Sequence, residues 1–183
     1  MTQLNLSHYF LLAMPDMQDP YFARSVVYIL EHDSNGAFGL IINKPVATKI
    51  SEVVEQLDIS VPEDWQDRPV LYGGPVSTEQ GFVLFETEEN DGQISGSNKV
   101  AITTSIDALN TIMHIDNQQF LLCMGYAGWG PGQLERELQE NGWLTVEADL
   151  KILFMTPTDN KYNQALKKLG IDPAMMSNTG GRV

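Results

Sequence analysis

Two almost uninterrupted apolar runs, "SVVYILEH" (25–32) and "AFGLIINKP" (37–45), flank the turn "DSNG" at residues 33–36. Asn35-Gly36 between β-branched and aromatic runs is a strong short-range hairpin signal. A strand with one wet face alternates apolar and polar residues, and neither arm does. The hairpin is therefore expected to be buried on both faces, and the remaining chain has to cover it on two sides.

The rest of the sequence supplies that cover. "HYFLLAMP" reads as a first strand stopped by Pro15, and "DPYFAR" as a helical turn with Asp19 as N-cap and Pro20 at the first position. Ile50, Val53, Val54 and Leu57 recur at helical spacing. The acidic, Pro62-containing stretch 58–68 reads as a loop, and "PVLYGGPV" and "GFVLFET" as two strands joined by a turn. "ENDGQISGSN" reads as a polar surface loop, and "TSIDALNTIMH" as a helix opened by a Thr104–Asp107 capping pair. "QFLLCMGYA" reads as a buried strand and "GQLERELQEN" as a helix closed by Gly142. "DLKILFMTP" reads as a further strand. "DNKYNQALKKLG" reads as a helix with Tyr162, Ala165, Leu166 and Leu169 inward and Gly170 closing it. No repeat or linker divides the 183 residues, which fit one α+β domain, with 172–183 as a loosely ordered tail.

Charge narrows the partners. The chain has 24 acidic and 11 basic residues, a net charge of -13, and its basic residues are scattered. That field repels nucleic acid, so direct DNA binding is not expected. The single cysteine, Cys123, excludes an internal disulfide and suits the cytoplasm. No apolar run approaches membrane-spanning length, and the N-terminus has no basic leader.

The stretch "MGYAGWGPGQLERELQ" (124–139) raises the question of a phosphate cradle. It has glycines between a strand and a helix N-terminus, but not the dinucleotide spacing, and no Gly-Lys-Ser/Thr follows. Glu135 and Glu137 would oppose an anion there, so a structural turn is favoured over a ligand site. In "YGGP", Tyr72, Gly73 and Gly74 read first as a place where backbones come close, and second as a ligand contact. "GQISG" (92–96) has its serine one place too late for a nucleophile elbow. Cys123 reads as a buried, inert thiol. His8, His32 and His114 lack metal-ligand spacing, so neither a metal nor another cofactor is expected. His32 is the one weak catalytic candidate, with a structural role favoured. Arg24 would pair a carboxylate or bind an anion. Among the tryptophans, Trp65 and Trp143 are expected in the core, and Trp129, between two glycines, partly exposed.

The segments "FLLAMPDMQDPYFARSVVYILEHDSNGAFGLIINKP", "GGPV", "GFVLF", "GYAGWGPGQLERELQENGWL" and "LFMTP" occur in the order seen in the AlgH/YqgE family of bacterial proteins, which this chain resembles over about residues 7–175. The resemblance implies a single α+β domain in which a bent, bifurcated mixed sheet forms a pseudo-barrel with helices packed outside. It brings no catalytic residues to carry over. A transcriptional-regulator label attached to one member conflicts with the acidity seen here. Where many members have histidine, this chain has Phe85, and it ends Gly181-Arg182-Val183 instead of Gly-His-Ala. Two functions stay open. The first is a non-enzymatic protein binding a small molecule or protein partner. The second is an enzyme acting on a phosphorylated or nucleotide-like metabolite, with Gly130, Gly132 and Gln133 holding the anion, Arg24 or Lys44 neutralising it and His32 as acid/base. Any pocket is expected where the glycine turn with Trp129, the Tyr72–Gly74 link and the His32/Asn43 hairpin converge.

Overall fold

A computed structural model describes residues 3–17, 19–88 and 100–176. The predicted hairpin is present as β2 (Val26–Asp33) and β3 (Gly36–Ile41), paired antiparallel from Val27↔Ile41 to Asp33↔Gly36. Its two-residue tip is Ser34-Asn35, one place earlier than the Asn-Gly reading, and Gly36 opens β3 with φ +129°. Only glycine fits there, because a Cβ would lie 2.0 Å from the Trp129 carbonyl oxygen.

Both faces of the hairpin are buried, each in a different core. Val26, Tyr28, Leu40 and Ile42 enter a central cluster, while Val27, Ile29 and Ile41 enter a second one on the opposite face. The strand β1 (Tyr9–Ala13) pairs with β2 and obeys the same alternation, Phe10 and Leu12 to one side and Leu11 and Ala13 to the other. This is why the arms carry no polar alternation: there is no solvated face to mark.

The strand β8 (Phe120–Trp129) divides the sheet. Its second half pairs with β3, as Phe38↔Gly128 and Gly39↔Ala127. Its first half lies between β5 (Pro69–Tyr72), which runs parallel to it, and the antiparallel β6 (Val76–Glu86). Gly125, at φ +78°, sits where the two halves part. The edges are β4 (Pro45–Lys49) beside β5, β7 (Val100–Thr103) beside β6 and β9 (Trp143–Glu147) beside β1. The bent, bifurcated sheet is as the resemblance implies, but it does not close, so pseudo-barrel describes it only loosely.

Helices fill three layers. Helices α1 (Ile50–Glu55) and α2 (Ile106–Met113) cover the outer face of the β5/β6/β8 half, giving a third cluster with Trp65, Val83, Phe120 and Leu122. The helix α3 (Gln133–Gln139) brings Leu134 to the second cluster. The helix α4 (Lys161–Lys168) adds Tyr162, Ala165 and Leu166 to the central one, and the short α5 (Pro173–Met176) follows it.

Several local expectations are corrected. "KILFM" is a π-helical turn at Lys151–Met155, not a strand; Asp149 Oδ1 accepts the Ile152 N–H at 2.7 Å, and Ile152, Leu153 and Phe154 are still buried. The N-cap of α2 is Ser105, whose side chain accepts from the Ala108 N–H, rather than Thr104. The residue that closes α3 in the left-handed region is Asn141, leaving Gly142 to donate its N–H to the Glu137 carbonyl. Leu57 and Leu169 are exposed, since each falls just past the end of its helix. The Gly92–Gly96 segment lies outside the described residues.

Candidate functional site

The residues singled out in the sequence fall into two groups at opposite ends of β2, six strand residues or roughly 20 Å apart. The tip-end group contains His32, Trp129, Gly130, Gly132 and Gln133. The open-end group contains Arg24, Asn43, Lys44, Tyr72, Gly73 and Gly74.

At the tip end almost every polar atom has an internal partner. His32 is buried; its Nδ1 accepts the Leu6 N–H at 3.0 Å, and its Nε2 lies 2.6 Å from Glu135 Oε1. The first contact leaves the proton on Nε2, so both ring nitrogens are engaged. Glu135 occupies the first turn of α3. Its own backbone N–H and then the His32 bond hold its carboxyl below the ordinary range, against the opposing effect of burial, although Oε2 lacks a full hydrogen bond. Gln133 Oε1 accepts the Gly130 N–H at 3.0 Å, and Gly132 takes φ +74° as N-cap. Trp129, expected to be partly exposed, is buried, because its indole N–H reaches the Glu137 carboxylate on α3 and its ring meets Trp143 and Phe22. Carboxylate and amide oxygens of the chain itself occupy the glycine turn.

The open end is built differently. Residues 19–24 form a turn in which Asp19 caps the Tyr21 N–H and the Ala23 N–H returns to the Asp19 carbonyl. Arg24 then adopts φ +56°, a left-handed conformation unfavourable for a side chain with a Cβ. Asn43 holds it there: Oδ1 accepts the Val26 N–H at 2.8 Å and Nδ2 donates to the Arg24 carbonyl at 3.0 Å. Lys44 Nζ donates to the Ala23 carbonyl at 2.5 Å, and the Lys44 carbonyl accepts the Tyr72 N–H at 2.7 Å.

This turn therefore presents two neighbouring cations. The guanidinium of Arg24 lies 5.0 Å from the Tyr162 ring centroid. Burial first, and the charge of Arg24 second, lower the Lys44 pKa. Among the described residues neither cation has a carboxylate within ion-pair distance; the ion pairs found there are His32–Glu135, Lys49–Asp67 and Lys168–Asp149. Ser25 Oγ, next to Arg24 in sequence, and the hydroxyl of Tyr72, whose backbone N–H bonds the Lys44 carbonyl, are buried without a hydrogen-bond partner. The Tyr72 ring stacks on the half-exposed Tyr21 with centroids 6.1 Å apart. Burial, then Tyr21 and Asp19, raise the Tyr72 pKa. Lys44 gives one N–H to the Ala23 carbonyl and keeps others, and with Arg24 and the two hydroxyl groups these can hold an anion.

Gly73 and Gly74 place Tyr72. They lie in the fork of the sheet, where Gly73 donates to the Met124 carbonyl and accepts from the Ile41 N–H, both at 2.8 Å. A Cβ on Gly73 would meet the Gly125 oxygen at 2.3 Å, so backbone proximity accounts for the pair.

Sequence reasoning missed Lys161. Its side chain is buried, with Nζ donating to the Ile42 and Leu153 carbonyls at 3.1 and 2.9 Å. Burial lowers its pKa to about 8. Its spacing of four from Ala165 placed it on the apolar face of α4, which was the available signal. Cys123 is fully buried, as expected, and burial raises its thiol to about 12. Among the described residues no group of His, Cys, Asp and Glu could hold a metal, and no helix is long and apolar enough to cross a membrane.

A family model for AlgH-like proteins matches residues 10–174. A UPF0301 protein of Vibrio cholerae is 42% identical, the alignment covering 97% of this chain and 99% of that one. A UPF0301 protein of Chromobacterium violaceum is 43% identical, with 99% of each covered. The solution structure of the AlgH protein from Pseudomonas aeruginosa superposes with a TM-score of 0.74 at 38% identity, covering 100% of both chains. A Corynebacterium diphtheriae protein shares the fold at a TM-score of 0.72 and 19% identity, over 92% of this chain and 89% of its own. The sheet forked at β8 and the ordered motifs along it have the same explanation: the chain belongs to the AlgH-like family of bacterial proteins.

Proposed function

We propose that this protein is a non-enzymatic, cytoplasmic binding protein that holds a small anionic molecule against Arg24 and Lys44. The observation that carries the proposal is the pair of neighbouring cations without a carboxylate partner among the described residues, in a chain where acidic residues outnumber basic ones 24 to 11. Other lysines and arginines of the described residues also lack a carboxylate partner, Arg68, Arg136 and Lys151 among them. What supports the reading is that Arg24 and Lys44 are close enough for one charge to act on the other, on a turn that Asn43 fixes. The half-exposed Tyr21 ring, stacked on Tyr72, offers a flat surface beside the charges, which suits a phosphate or carboxylate attached to a planar group. A regulatory or housekeeping role fits a site with cations and aromatics but no general base.

Catalysis on a phosphorylated metabolite has less support. His32 is at the other end of β2, and both of its ring nitrogens have internal partners. Direct DNA binding has less still, given the net charge of -13.

A thermal-shift titration with inorganic phosphate, nucleoside monophosphates and aromatic carboxylates tests the proposal. A dose-dependent rise in Tm is expected, lost in Arg24→Gln and Lys44→Gln and kept in Gly130→Ala. A flat response to the whole panel, or an equal rise in all three variants, overturns it.

A further inference from the structure

On the face of the sheet opposite the central core, α1 and α2 leave a groove between them. Its volume is about 400 Å3, and Val53, Val83, Leu109, Leu122 and Met124 form its apolar lining. Gly81 lies in its floor; a Cβ there would meet only the Leu122 and Met124 side chains, each at 3.7 Å, so the space above it is open. Large apolar side chains stand exposed at the rim, Leu57 at 40% and Ile106 at 50%.

Glu79 is the one charged residue in the lining, and the segments around the groove carry further acidic side chains. Residues 50–58, 76–82 and 104–109 contain Glu52, Glu55, Asp58, Glu79 and Asp107, and no lysine or arginine. All five are exposed. An apolar floor with Glu79 at its edge and only acidic charges on the surrounding segments selects against acidic partners and favours a basic amphipathic one. Two helices already lie on this face, and a third helix would complete the layer. We infer that the α1–α2 groove docks a short amphipathic helix of another protein, with apolar residues at i, i+3, i+4 and i+7 facing Gly81 and Met124 and Lys/Arg residues along its flanks. The inference is independent of the Arg24 site, which lies on other elements.

The probe is a synthetic, acetylated Leu/Lys peptide of ~14 residues with its leucines at helical spacing. It is compared with a scrambled peptide of identical composition and with the Leu/Glu counterpart. Binding is followed by fluorescence anisotropy and by backbone amide shifts of the 15N-labelled protein. The Leu/Lys peptide should bind roughly tenfold or more tightly than the scrambled one, with shifts centred on Val53, Gly81, Leu109 and Met124. Gly81→Leu, which fills the groove without altering charge, should weaken binding about tenfold while Tm stays within about 3 °C. Should that variant fail to fold, Ile106→Ser at the exposed start of α2 replaces it, with the same expectation of weakened binding. Equal affinity for the scrambled peptide, shifts confined to other surfaces, or undiminished binding by a folded groove variant would overturn the inference.

Discussion

The two ends of β2 are built from similar residue types and serve opposite purposes. At the tip, a histidine, glutamates, an indole and a glutamine meet one another, and their hydrogen bonds close within the protein except at Glu135 Oε2. At the open end, an arginine and a lysine have no carboxylate partner among the described residues, the lysine giving one N–H to the Ala23 carbonyl. A tyrosine and a serine hydroxyl there are buried without a partner. A polar group that is buried and satisfied stabilises the fold, while one held unsatisfied against strain needs a reason outside the fold. The histidine at the tip stands out in the sequence, yet the neighbouring cations are at the open end.

The sharpest way to break this contrast is Gly36→Ala. The new Cβ would collide with the Trp129 carbonyl in a backbone conformation unfavourable to alanine. A loss of about 4 kcal/mol or more is expected by chemical denaturation. A loss below about 1 kcal/mol would mean the tip is not rigid, and its satisfied bonds would lose their meaning as structure.

Next comes His32→Ala, which strands the Leu6 N–H and Glu135 together. It should cost about 2–4 kcal/mol and leave anion binding at the open end intact. Loss of ligand response in a folded His32→Ala protein would join the two ends and revive a catalytic role.

Lys161 refines the open end, because it is a cation there that the fold does satisfy, through the Ile42 and Leu153 carbonyls. Its folded pKa of about 8 lies below the unfolded value, so from about pH 8 to 10.5 the unfolded chain binds more protons at this site. Its contribution to stability therefore rises with pH through that window, by on the order of 2 kcal/mol. Cys123 and Tyr28 oppose it, since burial raises both and the unfolded chain releases their protons first. Comparing wild type with Lys161→Met isolates the term: the wild type should gain on the variant as pH rises through the window. A constant difference would show that the folded amine is not depressed.

Arg24→Gly should change stability least. Relief of the left-handed backbone is worth ~1 kcal/mol, and the lost contact with the Tyr162 ring about 0.5–1 kcal/mol. The two offset, so Tm should barely move while the phosphate response disappears. A large destabilisation would make Arg24 a structural residue like those at the tip.

How much of this was legible depended on the range of each signal. The hairpin is local, and its unbroken apolar arms announced burial on two faces before any partner was known. "KILFM" is as apolar and as short as a strand, and periodicity over five residues cannot separate the two. The strand β9 escaped notice because its pairing is with β1, far away in sequence. The candidate residues themselves were nearly all named, but not their grouping. His32 meets a carboxylate 103 residues away, and Arg24 meets a ring on α4, contacts that only tertiary structure sets. The burial of Lys161 was not legible either, since one of its two carbonyl acceptors, Ile42, lies 119 residues away.

The shared strand β8 also constrains how the molecule is made. During synthesis the hairpin, β5 and β6 all emerge before residues 120–129, yet each needs that strand as a neighbour. Until it leaves the ribosome, the nascent chain carries three unmatched strand edges and their apolar faces, which is the hazard for premature association. Once it arrives, both half-sheets can complete together, and neither can come apart later without disturbing the other. A chain truncated before Phe120 keeps strands of both half-sheets and lacks the one they share, and should therefore yield no folded fragment.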